Sequence, residues 1–201
     1  MVKDSLITRV LEILEHQSVL RPRDLDAYGI PRNYLARLHK RGLVNRVGRG
    51  LYMLPQTDVT SQHTLVEASQ IVPKGVICLL SALNYHGLTT QAPFAVWLAI
   101  DNKSHQPRVQ NPPLRIVRFS GQALTDGIQE VVIEGVVLKI YNPAKTVADC
   151  FKYRNKIGID VAIEALKDCR RQKKCTIAEL WHYAEICRVA AIIKPYLEVL
   201  S

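Results

Sequence analysis

Residues 31–50 read PRNYLARLHKRGLVNRVGRG, with six Arg or Lys and no Asp or Glu. The first half repeats its apolar residues at helical spacing. Tyr34, Leu35 and Leu38 fall within about a third of a helix circumference, and Arg32, Asn33, Ala36, Arg37 and Lys40 take the other side. Such a helix buries one stripe and leaves a cationic face in solvent. Residues 43–47 and 51–54 are predicted as two short strands. Gly48-Arg49-Gly50 joins them, offering the positive φ a tight hairpin needs and an Arg at its tip.

What precedes this stretch completes a plan. Residues 5–16 are predicted as a first helix, with Leu6, Val10, Leu11 and Leu14 at helical spacing and Asp4 or Ser5 as its cap. Pro22 suits the first turn of a short second helix ending near Tyr28, Gly29 allows a sharp turn, and Pro31 opens the third helix. Three helices followed by a hairpin is the winged helix-turn-helix arrangement.

Charge points the same way. The chain has 27 Lys or Arg against 18 Asp or Glu over 201 residues, a net charge of +9 that favours polyanionic partners. Residues 1–55 hold 10 basic and 5 acidic side chains, 56–145 hold 7 and 6, and 146–201 hold 10 and 7. The excess therefore lies at the two ends. A solvated surface is the plain alternative for any charge run. Here the missing acids, the free basic face and the cationic hairpin tip favour double-stranded DNA. Arg46 and Arg49 are expected at phosphate or in the minor groove, with Arg32, Lys40 and Arg41 along the backbone. Asn33 and Arg37 are placed to read base edges, since Asn suits adenine and Arg suits guanine. About four phosphate contacts would give a log–log salt slope near −3.6.

No apolar run approaches the roughly eighteen residues of a membrane span. The start MVKDSLITRVLEIL places Asp4, Arg9 and Glu12 where a signal peptide needs unbroken apolar chain. The expectation is a cytoplasmic protein with no membrane partner. Its five cysteines are odd in number and lack a CxxC pair, which argues against a disulfide framework and a zinc ribbon. Free thiols, no metal and no cofactor are expected.

After a polar linker at 55–61, residues 63–72 and 78–86 read as helices, and 94–100 and 114–119 as strands. A hairpin is predicted over 128–133 and 136–141 around Glu134-Gly135, then helices over 143–154, 159–172, 176–187 and 190–199. The chain is thus expected to be α+β in two domains. A winged helix-turn-helix occupies 1–58, and a mixed α/β domain with a helical C-terminal half occupies 59–201.

Few residues suggest chemistry. Asp24-Leu25-Asp26 has the DxD pattern of metal-holding nucleotidyltransferases, but its place on a helix makes Leu25 core and the aspartates solvated. Ser81 and His86 lie roughly 140° apart on one helix and do not form a nucleophile–base pair. His86 is expected to cap its helix as a cation. Asp149 can pair with Lys145 or Lys152, a structural role. The run 170–174 closes a helix with cations, and a second polyanion contact there stays open. No catalytic residue is assigned.

The segments LHKRGLVNRVGRGLYMLP (38–55), LLSALNYHGL (79–88), PFAVWLAI (93–100) and YNPAKTVADCFKYR (141–154) together resemble AbiEi-type antitoxins of type IV toxin–antitoxin, or abortive infection, modules. Many members carry Arg where Lys145 stands, and Lys cannot reproduce a bidentate contact. The resemblance implies repression of the module's own promoter through the winged helix. It also implies that the second domain counters a cognate nucleotidyltransferase toxin. Two alternatives are a stand-alone ligand-responsive winged-helix regulator and a nucleic-acid-processing enzyme. The latter needs a carboxylate cluster that Asp101, Asp126, Glu130 and Glu134 are too scattered to suggest.

Overall fold

The computed structural model describes residues 2–48, 50–57, 60–107, 109 and 111–199, with side chains from Ser5 onward. The chain divides into two compact units: Met1–Pro73 together with Val132–Leu138, and Lys74–Val131 together with Lys139–Ser201.

The first unit opens with α1 (Val2–His16). It starts earlier than the caps Asp4 or Ser5 suggested, so both lie inside the helix. Next comes the expected short second helix, a 3-10 helix over Pro22–Tyr28. The Asp24 carboxylate accepts the Arg21 backbone N–H at 2.8 Å, satisfying a donor at its start. Gly29, at φ 66°, ends it in the left-handed conformation. α2 spans Asn33–Lys40, two residues after Pro31.

β1 (Asn45–Gly48) and β2 (Leu51–Met53) pair antiparallel, with a register shift between Arg46 and Gly48. Gly50 has the expected positive φ, 72°, whereas Gly48 does not. Arg49, the predicted tip, lies outside the described residues. A third strand-like contact was not foreseen: Leu20 and Tyr52 exchange backbone hydrogen bonds of 2.9 Å. Val10, Leu14, Leu20, Leu25, Leu35, Leu38 and Val44 fill the core beneath.

The same unit contains α3 (His63–Ile71) and the tip of the distant hairpin. There Glu134 and Gly135, at φ 50° and 75°, make the tight two-residue turn. The Ser18 N–H donates to the Glu134 carbonyl at 3.0 Å. The Glu134 carboxylate accepts from the Thr60 N–H at 2.7 Å, the Thr60 hydroxyl at 2.9 Å and His63 Nδ1 at 2.7 Å. Burial alone would raise its pKa. The approach of Ser18 and the bonds from His63 and Thr60 outweigh burial and hold it below the usual carboxylate range. Gly135 leaves no room for a side chain, because a Cβ there would lie 1.8 Å from the His16 carbonyl oxygen.

The second unit is built on a five-stranded sheet of order β5-β4-β3-β7-β6. Its strands are β3 (Val76–Ile77), β4 (Val96–Asp101), β5 (Leu114–Phe119), β6 (Ile128–Ile133) and β7 (Val136–Tyr141). β3 runs antiparallel to β4 and parallel to β7, and β4 runs parallel to β5. The two-residue β3 was missed, and β4 starts later than predicted, leaving Phe94 93 % exposed. The helices are α4 (Leu79–Tyr85), α5 (Gln122–Thr125), α6 (Pro143–Lys152), α7 (Arg154–Ile157), α8 (Ile159–Arg171), α9 (Ile177–Ile186) and α10 (Ala190–Val199).

Local sequence explains the helix starts. Asn142 caps α6 by accepting the Lys145 N–H at 2.8 Å, with Pro143 in the first turn. Thr176 and Glu179 form a reciprocal capping box at α9. Leu83, Tyr141, Val147, Phe151, Leu166, Leu180 and Ile193 belong to one continuous core. The fold is α+β, a winged helix-turn-helix followed by a sheet and a helical C-terminal half. Cys169 and Cys175 lie side by side, with Cα atoms 5.8 Å apart across the end of α8. Cys78, Cys150 and Cys187 are free and buried.

Candidate nucleic-acid interface

α2 divides as its sequence requires. Tyr34, Leu35 and Leu38 are buried, whereas Arg32, Asn33, Ala36, Arg37, Lys40 and Arg41 are exposed. Burying three apolar side chains against α1 and the 3-10 helix holds α2 in one orientation, with its cations outward. Arg46, on β1, is exposed too, and its Nε donates to the Gly48 carbonyl at 3.2 Å. Thus six of the seven proposed contact residues are exposed within the first unit, and Arg49 is the seventh.

The arginines differ in what holds them. The Arg37 guanidinium lies 4.8 Å from the centre of the Tyr34 ring, a cation–π contact that limits its rotamers without using its donors. Arg32 is instead gripped by an acid. Its Nε donates to the two Asp26 carboxylate oxygens at 2.9 and 3.1 Å, and its Nη2 to Oδ2 at 2.5 Å. Sequence reasoning had left Asp26 as a solvated residue, and nothing in the spacing of positions 26 and 32 signals the pair. Asp24 of the same DxD is used in capping and Leu25 is fully buried, so the motif is accounted for by local structure.

Behind α2, His39 Nδ1 lies 3.0 Å from the Val44 carbonyl oxygen. Its ring meets Tyr52 edge-on at 6.1 Å. Gly42, at φ 72°, turns the chain from helix into wing. These contacts fix the wing's start relative to the helix.

In the second unit, the polar residues that invited a catalytic reading have separate tasks. The Ser81 hydroxyl accepts the Trp97 N–H at 2.9 Å. His86 Nε2 donates to the Tyr141 carbonyl at 2.7 Å. Burial lowers the imidazole pKa against the pull of that hydrogen bond, and nearby Lys174 lowers it further. His86 is the C-cap residue of α4, as expected, although its imidazole pKa lies below the ordinary histidine value and so does not favour the cationic form.

Lys145 and Asp149 are both fully buried and pair at 2.6 Å on α6. The Lys145 ammonium also lies 4.1 Å from the Tyr141 ring centre and 4.8 Å from that of Phe119. Cys187 donates its thiol to the other Asp149 oxygen at 3.1 Å. Burial pushes the Asp149 carboxyl up, and Lys145 pulls it back. This is a structural cluster.

Most of the 170–174 run is tied down as well. Arg171 pairs with Asp168 at 2.8 Å, and Gln172 and Lys174 bond the Gly87 and His86 carbonyls. Among the described residues, no group of three or more His, Cys, Asp or Glu is arranged to hold a metal, and no helix is long and apolar enough to cross a membrane.

The first unit, then, has the architecture of a winged helix-turn-helix regulator with a cation-rich helix and wing. Residues 9–55, from α1 through β2, match the protein-family model described as "Transcriptional regulator, AbiEi antitoxin". The resemblance drawn from the sequence is met by that match over the winged helix. No curated protein matches the chain.

Proposed function

We propose that the chain is a DNA-binding antitoxin of a two-gene toxin–antitoxin module. In this reading residues 1–58 bind repeated sites in the module's own promoter and repress it. Residues 59–201 counter a nucleotidyltransferase toxin, and neither part catalyses a reaction. The observation that carries the reading is the outward cationic face of α2, continued by Arg46 on the wing, in a stretch (31–50) that contains no Asp or Glu. The family match over residues 9–55 supports both the regulator and the antitoxin description. Asn33 and Arg37 read bases, and Arg32, Lys40, Arg41, Arg46 and Arg49 engage phosphate or the minor groove.

Arg37→Ala is expected to cost about 1–3 kcal/mol of promoter affinity and to relax discrimination at one base pair. Binding measured against a panel of single-base variants checks this. Equal loss on every sequence would mean that Arg37 touches only phosphate. A wild-type affinity that does not fall with salt would overturn the DNA-binding reading.

The two jobs should separate in cells. With the toxin encoded by the adjacent reading frame, the full-length Arg37→Ala chain is expected to restore growth while leaving a promoter fusion derepressed. An adjacent frame that encodes no nucleotidyltransferase would remove the antitoxin half of the proposal.

A further inference from the structure

The acid on the cationic face is the feature that the function leaves unexplained. Asp26 lies within the 3-10 helix that precedes the turn into α2, is exposed, and engages Arg32 through three hydrogen bonds of 2.9, 3.1 and 2.5 Å. Its pKa is lowered, first by the hydrogen bonds from Arg32, so it remains anionic well below neutral pH. A carboxylate held on a guanidinium in this geometry occupies the donors that a phosphate would use. Arg32 also sits at the start of α2, where the helix's own N–H groups favour an anion. In the structure the acid on the Arg32 side chain is the protein's own Asp26.

Resting on the DNA-binding reading, we infer that Asp26 is a built-in competitor for the phosphate contact of Arg32, keeping the affinity for DNA of any sequence low. The competition is mild by construction. Exposed ion pairs are worth a factor of about five at most, so the pair weakens binding without blocking it. A regulator gains from this because phosphate contacts hold it on unrelated DNA as firmly as on its sites. A carboxylate that must be displaced weakens the contact that carries no sequence information. Asp26 is a positioning residue and need not touch DNA itself.

The test uses a random-sequence duplex and the full-length chain, with affinity measured by anisotropy across a salt series. In the wild type Arg32 must give up Asp26 before it reaches phosphate, so the slope is expected to be shallower than the −3.6 of about four full phosphate contacts. Asp26→Asn is expected to tighten binding by up to about fivefold and to steepen the slope to near −3.6. In an Arg32→Gln background the same substitution is expected to change neither quantity. A gain that persists in that background would show that Asp26 only repels DNA as a like charge, and the inference would fall. No gain from Asp26→Asn in the wild-type background would also overturn it. A wild-type chain whose affinity ignores salt is a different failure, because it removes the DNA-binding reading on which the inference stands.

Discussion

Lys145→Met is expected to destabilise the protein by about 3–5 kcal/mol, read as a fall in denaturant midpoint at unchanged slope. The ammonium it removes is fully buried, 2.6 Å from Asp149, with two aromatic faces as its other neighbours. Methionine fills similar volume, so the loss is electrostatic: Asp149 keeps its burial and loses its counter-charge. Among the described residues the hydrogen bond left to it is from the Cys187 thiol, a weak donor. The double variant Lys145→Met, Asp149→Leu is expected to recover most of the loss, because removing both charges removes the desolvation cost of each. A single variant as stable as wild type would mean that the charge pair contributes nothing to stability. Gly127 enforces the same arrangement, since a Cβ there would come within 2.8 Å of Lys145 Cβ.

Gly135→Ala should be the second most damaging change, costing about 2–5 kcal/mol from overpacking and left-handed strain together. Its φ is 75°, and the added Cβ would lie 1.8 Å from the His16 carbonyl oxygen, a backbone atom that cannot swing aside. The tip would have to withdraw, and the bonds of Glu134 to Ser18, Thr60 and His63 would go with it. Gly50→Ala is the matched control. Its φ is 72°, yet nothing among the described residues lies within 4 Å of the added atom. It should cost only the strain, about 1–2 kcal/mol. Equal melting temperatures for the two variants would show that the close approach at Gly135 carries no penalty.

The winged helix was legible because its signals are periodic. The spacing of Tyr34, Leu35 and Leu38 set the buried stripe, and with it which residues face outward. The Lys145–Asp149 pair was also readable, since four residues on one helix place two side chains together. What escaped depends on contacts that spacing does not encode. Leu20 pairs with Tyr52 through backbone alone. Arg32 reaches Asp26 across a turn, and a carboxylate six residues away carries no helical or strand signature. The helix end at His86 is visible in sequence, whereas the burial that lowers its pKa is not. Cys169 and Cys175 meet because the chain reverses after α8, which their separation of six residues does not announce. Positive φ fell on Gly50 and not Gly48 because the wing carries a register shift.

One segment has a bearing on how such proteins are engineered. The unit that holds the winged helix includes seven residues, Val132–Leu138, that the gene encodes some sixty codons after the rest. A chimaera that exchanged this unit by splicing at a single junction would give the incoming unit a foreign β-turn in place of its own. Transplanting this unit between relatives therefore calls for two grafts, and the shorter one carries Glu134 and Gly135.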